Sequence, residues 1–186
     1  MEKNIELFVN EIKAGNIVAI PTDTVFGLFA LPTINGMNKL NSLKKSPLSK
    51  KISLMTNNLD KFSKIIDLNE SNLRLVKETL PGEITYIVPI KKDYLSKNTF
   101  PLKESIGIRV PNFKNKDTIF LEKILEQFDF LFATSANISG ENVLKTSDEI
   151  KIVFPNILIK NETFSLNNKP TTIISLLYNK RKTIRE

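Results

Sequence analysis

Segments with apolar residues at helical spacing alternate with short unbroken apolar runs along most of the chain, and no other feature restricts the fold as much. Ile5, Phe8, Val9 and Ile12 share one helical face, and Gly15 follows as a C-terminal stop. Residues 17–20 form a continuous apolar run, read as a buried strand. Met37, Leu40 and Leu43 mark a second helix, 52–55 a strand, Leu59, Phe62, Ile65 and Ile66 a third helix, and Leu73, Val76 and Leu80 a fourth. Strands are predicted over 84–89 and 106–110, a helix over 119–128, and a strongly apolar strand over 130–133. Thr146 and Glu149 stand at capping-box spacing and open a short helix running to Phe154. Residues 157–159, 172–176 and 182–184 close the chain as short strands. Alternation of this kind predicts an α/β layer fold, and the late strands argue against a purely parallel sheet.

A length of 186 residues, 41% apolar and 25% charged, suits a single domain over 1–186 with one continuous core. No internal repeat or low-complexity linker divides it. Lysine and arginine number 27 against 20 acidic residues, a net charge of +7, so polyanions are the natural partners: nucleotides, RNA or an acidic surface. Histidine and cysteine are both absent. Their absence excludes a Ser-His-Asp triad, a thiol nucleophile, a zinc finger and an iron–sulfur site, and leaves acid–base chemistry to Asp, Glu, Lys or Tyr. The N-terminal residues lack the apolar core of a signal peptide and no run of eighteen apolar residues occurs, which predicts a cytoplasmic protein with no membrane partner. In that compartment the Asn-x-Ser/Thr matches at Asn69, Asn137 and Asn161 carry no meaning as glycosylation sites.

The common nucleotide signatures are missing: there is no Walker A loop and no G-x-G-x-x-G. Ser42-x-x-Lys45 has the spacing of a β-lactamase tetrad without the accompanying Lys-Thr-Gly, and is read as coincidence. What remains are polar residues at the ends of apolar strands, where open α/β sheets bind ligands. Pro21-Thr22-Asp23-Thr24-Val25-Phe26-Gly27-Leu28 follows the first strand, and Thr134-Ser135-Ala136-Asn137-Ile138-Ser139-Gly140 follows the strand over 130–133. Either cluster alone also reads as helix capping or turn chemistry. Arg109 interrupts the apolar run Ile106-Gly107-Ile108-Arg109-Val110-Pro111 and needs an anionic partner if it points inward, as a ligand contact or as a structural ion pair. The densest charge run, 43–51 (LKKSPLSKK), lies between a helix and a strand and alone reads as a solvated loop.

Taken together, these segments resemble the YrdC/TsaC family of threonylcarbamoyl-AMP synthases. The order is PTDTVFGL, Lys44-Lys45-Ser46-Pro47-Leu48-Ser49-Lys50, Pro81-Gly82-Glu83-Ile84-Thr85, IGIRVP, SANISG, Lys169-Pro170-Thr171-Thr172-Ile173 and Ile184-Arg185, from about Gly15 to Arg185. The resemblance implies the short, single-domain form, with an open, twisted mixed β-sheet flanked by helices and a large basic cavity. It also implies synthesis of threonylcarbamoyl-adenylate and pyrophosphate from L-threonine, bicarbonate and ATP, with Mg²⁺ carried by ATP and no protein metal ligand. A separate transferase complex would then modify adenosine 37 of tRNA.

By the same resemblance Thr24, Arg109, Ala133 and Thr171 would hold threonine. Lys44, Lys50, Ser105, Ser135, Asn137 and Arg185 would face ATP, with Lys44 also the catalytic residue. The family's loop arginine is replaced by Ser46, and Lys45, Lys50 or Lys51 are the candidates to replace its charge. Two alternatives stand beside the synthase: a non-catalytic module binding double-stranded RNA or tRNA, and a paralogue with an altered substrate.

Overall fold

In the computed structural model, which describes residues 2–47, 52–97, 104–161 and 169–186, the alternating segments become one sheet with helices on both faces. The first amphipathic face folds as α1 (Glu2–Lys13), burying Phe8, Val9 and Ile12, and Gly15 ends it with a φ of 79° that a side chain would strain. The strands are β1 (Val18–Pro21), β2 (Phe26–Ala30), β3 (Ser53–Met55), β4 (Ile84–Pro89), β5 (Ser105–Arg109), β6 (Leu131–Ser135), β7 (Leu158–Ile159), β8 (Thr172–Ser175) and β9 (Lys182–Arg185). The remaining helices are α2 (Ile34–Leu43), α3 (Glu70–Thr79), α4 (Lys92–Lys97), α5 (Lys116–Leu125) and α6 (Ser147–Val153).

Strand order across the sheet is β7-β1-β2-β6-β3-β5-β4-β8-β9. The pairs β1/β7, β3/β5 and β4/β8 are parallel and the other five antiparallel, so the sheet is mixed as the late strands suggested. Side chains alternate between its faces. On one face Ala19, Phe26, Leu28, Leu54, Tyr86, Val88, Ile106 and Ile108 pack with Leu40 of α2, Val76 of α3 and Ile150 of α6. On the other, Val18, Ile20, Phe29 and Met55 pack with α1 and α5, where the Phe8 and Phe120 rings meet edge to face at 5.3 Å.

That second face is only partly covered, for a reason visible in the register. Gly27 lies opposite Ser135, Ser53 lies between Ala133 and Gly107, and none of these small side chains can fill a layer. The hollow above them is the site.

Three elements differ from the sequence reading, one of them the six-residue α4, which it does not predict. Residues 59–64 form a 3-10 turn instead of an α-helix, because Ile65 and Ile66 leave it to meet the end of β4: Lys91 N–H donates to Ile65 O, Asp67 N–H to Pro89 O, and Ile66 bridges Ile90. The strand β2 is not marked by any sequence signal used above, since its residues run on directly from the polar turn at 22–25. Among the described residues no helix is long and apolar enough to cross a membrane.

Candidate active site

The turn between β1 and β2 is built by Thr22, which is 1% exposed. Its hydroxyl donates to Val25 O at 2.6 Å and accepts from the Thr24 and Val25 N–H groups at 3.2 and 3.3 Å. This tight turn carries Asp23 and Thr24 to Arg109, the last residue of β5, paired in register with Met55. One terminal nitrogen of Arg109 forms an ion pair with Asp23 Oδ1 and donates to Thr24 Oγ1 at 2.8 Å. Asp23 Oδ2 accepts the Asn112 N–H at 2.8 Å. Burial pushes the Asp23 carboxyl above its ordinary range, with Arg109 opposing, and pulls the Arg109 guanidinium below its own, with Asp23 opposing. Arg109 is 7% exposed, yet its Nε is buried without a hydrogen-bond partner among the described residues. A satisfied structural ion pair would leave no such donor over.

The second polar cluster, after β6, is held from behind. Ser135 Oγ donates to Asn137 Oδ1 at 2.7 Å, and Asn137 Nδ2 donates to the Ile138 and Glu141 carbonyls, both at 2.8 Å. Lys44, at the C-terminal cap of α2, sends its ammonium to Asn137 O at 2.8 Å, Asn137 Oδ1 at 2.9 Å and the Ser135 carbonyl. Lys44 is 3% exposed and is not among the residues lining the cavity. The sequence reading puts this lysine against the nucleotide, whereas the described contacts put its charge on the loop that carries Ser135 and Asn137. Ser46 N–H donates to Asn41 O at 2.8 Å, while its hydroxyl is buried without a partner among the described residues. Lys50 and Lys51 lie outside the described residues.

On the β8 and β9 side, Thr171 Oγ1 meets Thr85 Oγ1 at 2.9 Å. Arg185 donates Nε and NH2 to Thr171 O at 3.1 and 2.8 Å, and burial lowers its pKa from the ordinary guanidinium value. These walls enclose a cavity of about 710 Å³. Thr24, Arg109, Ala133 and Thr171 all line it, as do Ser135, Asn137 and Arg185. Ser105, which opens β5 opposite Pro89, does not. The charged residues of the lining are Arg109, Lys145 and Arg185, with Glu141 as the carboxylate.

Sequence reasoning missed how Asp23 is used, although both halves of the signal were present: a carboxylate after one strand, and an arginine inside another that required an anion. It also missed Glu141, Asn142 and Lys145, which enter the wall because Leu144 N–H donates to Ala136 O at 2.9 Å and folds the loop back. Among the described residues no cluster of three or more acidic or other metal-ligating side chains surrounds a common point.

Threonylcarbamoyl-AMP synthase from Histophilus somni (strain 2336) is 36% identical over 156 residues, covering 81% of this chain and 82% of that protein. The same-named protein of Wigglesworthia glossinidia brevipalpis is 34% identical over 158 residues, covering 80% and 76%. The fold matches P. abyssi Sua5 complexed with L-threonine with a TM-score of 0.84 at 21% identity, over 100% of this chain and 54% of that one. It matches E. coli YciO equally well, with a TM-score of 0.84 at 24% identity, over 100% of this chain and 90% of that one. Residues 10–186 match the family model Sua5/YciO/YrdC, described as "Telomere recombination", and the chain belongs to that family.

Proposed function

We propose that this chain is a threonylcarbamoyl-AMP synthase, joining L-threonine, bicarbonate and ATP into threonylcarbamoyl-adenylate and pyrophosphate. The observation that carries the reading is Arg109: a buried guanidinium on the cavity wall, held at one terminal nitrogen by Asp23 and Thr24, with its Nε left over as a donor. A guanidinium fixed in this way suits a ligand carboxylate, which accepts from more than one of its nitrogens. Thr24, Ala133 and Thr171 would complete the threonine pocket, and relatives bearing this name support the choice of amino acid.

In this reading the threonine amine captures bicarbonate or its CO₂ equivalent, forming the N–C bond while the amine proton and the hydroxide of bicarbonate leave together as water. A carbamate oxygen then attacks the α-phosphate, and the bond to the β-phosphate breaks with the electron pair leaving on pyrophosphate. Ser135 and Asn137 serve as neutral donors and Arg185 as a cation toward ATP. Lys44 acts through the loop it braces. Such chemistry depends on positioning and on neutralising phosphate charge, and so does not require histidine. Mg²⁺ would enter on the triphosphate, since magnesium is commonly held by phosphates and water.

The adenylate would pass in the cytoplasm to a transferase complex acting on adenosine 37 of tRNA. The exposed Lys180, Arg181 and Lys182 at the sheet edge are suited to an RNA phosphate backbone.

Adenylate formation that requires all three substrates tests the reaction. For Arg109→Ala, loss of the partner of a desolvated charge should weaken threonine binding by about 2–5 kcal/mol with a much smaller effect on ATP. Arg109→Lys should also weaken it, because an ammonium cannot reproduce the fork. Calorimetry giving unchanged threonine affinity for a folded Arg109→Lys protein would overturn the assignment, and RNA binding without adenylate formation would favour the non-catalytic module.

A further inference from the structure

Of the three cations that line the cavity among the described residues, two are already engaged. Arg109 is paired with Asp23 and bonded to Thr24, and Arg185 is turned onto the Thr171 carbonyl. Lys145 is different. It lines the cavity and is exposed, and among the described residues its ammonium makes neither a hydrogen bond nor an ion pair.

Its backbone, by contrast, is fixed. Lys145 N–H donates to Glu149 Oε2 at 2.6 Å, the preceding Leu144 N–H to Ala136 O at 2.9 Å, and the following Thr146 caps α6 by accepting the Glu149 N–H at 3.2 Å. A long cationic side chain is thereby rooted at a rigid point of the cavity rim with its charge uncommitted.

We propose that Lys145 binds the β- and γ-phosphates of the nucleotide, and so the departing pyrophosphate; this rests on the synthase reading given above. In that reaction the α-phosphate must lie beside the threonine held by Arg109, at the buried end of the cavity. On this proposal the phosphates beyond it run toward the exposed wall residue Lys145. An ammonium is a compact point charge suited to phosphate oxygens and has no corresponding preference for an uncharged nucleoside.

The test compares wild type, Lys145→Gln and Lys145→Arg by calorimetry with ATP, AMP, inorganic pyrophosphate and L-threonine as separate probes, each nucleotide with Mg²⁺. Lys145→Gln is expected to lose about tenfold in affinity for ATP and pyrophosphate, the change that one lost charge contact of about 1.4 kcal/mol produces. AMP and threonine affinities should be unchanged, and Lys145→Arg should restore ATP and pyrophosphate binding. Equal losses for AMP and ATP would overturn the β,γ assignment, as would unchanged ATP affinity in Lys145→Gln. A wild type that binds neither ATP nor pyrophosphate would overturn the synthase reading together with it, whereas a wild type that binds both while Lys145→Gln is silent would defeat this inference alone.

Discussion

Asp23 illustrates how a single residue can serve both the site and the fold. Burial raises its pKa above the ordinary 3.8 even with Arg109 alongside, so the folded protein takes up that proton more readily than the unfolded chain. The stability linked to this group is therefore fully present below the unfolded pKa and is lost as pH rises through the raised folded value. Removing one partner of a buried ion pair leaves the other charge uncompensated, which commonly costs about 3–5 kcal/mol. Asp23→Asn leaves the buried Arg109 guanidinium without its anion and should be less stable than wild type at neutral pH. Wild type should gain on it as pH falls through the raised pKa toward 3.8. Threonine affinity should nevertheless fall, because Arg109 loses the anion that orients it. Urea unfolding midpoints for both proteins from neutral to acid pH measure this directly. A variant as stable as wild type at neutral pH would mean that the ionised pair contributes nothing to the fold.

At the scale of elements, the parts legible in the sequence are those whose apolar pattern is long or unbroken. The predicted strand over 84–89 matches β4, and Ile5, Phe8, Val9 and Ile12 lie on α1 as the spacing required. Thr146 caps α6 as predicted, although the Glu149 carboxylate reaches Lys145 N–H instead of closing a box on Thr146. Residues 26–30 were illegible because a strand buried on both faces, beginning inside a polar turn, shows no alternation. α4 has six residues, too few to display a period. The two strand-end clusters were legible as polar punctuation, but not how they are held, since Lys44 lies 91 residues from Ser135 and 93 from Asn137. That bracing yields a prediction. Lys44→Met removes the donor from three loop acceptors, and leaving such groups unsatisfied costs about 1–3 kcal/mol each. It should lower stability, accelerate amide exchange across 135–141 and weaken ATP binding together. Weakened ATP binding with stability and exchange unchanged would show instead that Lys44 meets the nucleotide directly.

Across the whole molecule, the core and the site draw on different parts of the chain. Neither apolar cluster contains a residue beyond Leu176, and all four residues of β9 are exposed. This edge strand nevertheless carries Arg185 back to the cavity, while the positive charges around it discourage pairing with another sheet edge. Arg185→Ala should therefore leave cooperative unfolding almost unchanged, since the bonds it loses are side-chain contacts to Thr171 at the rim. ATP affinity should fall about tenfold, the equivalent of about 1.4 kcal/mol, with threonine affinity reduced much less. Deleting 180–186 should reproduce the ATP defect and add a second one. With β9 gone, β8 (Thr172–Ser175) becomes the edge without its flanking cations, so the truncated protein should aggregate at concentrations where Arg185→Ala stays monomeric. Calorimetry and light scattering on the two variants separate the roles. If Arg185→Ala binds ATP as wild type does, Arg185 is only a latch on Thr171, and the nucleotide side of the cavity must be drawn without it.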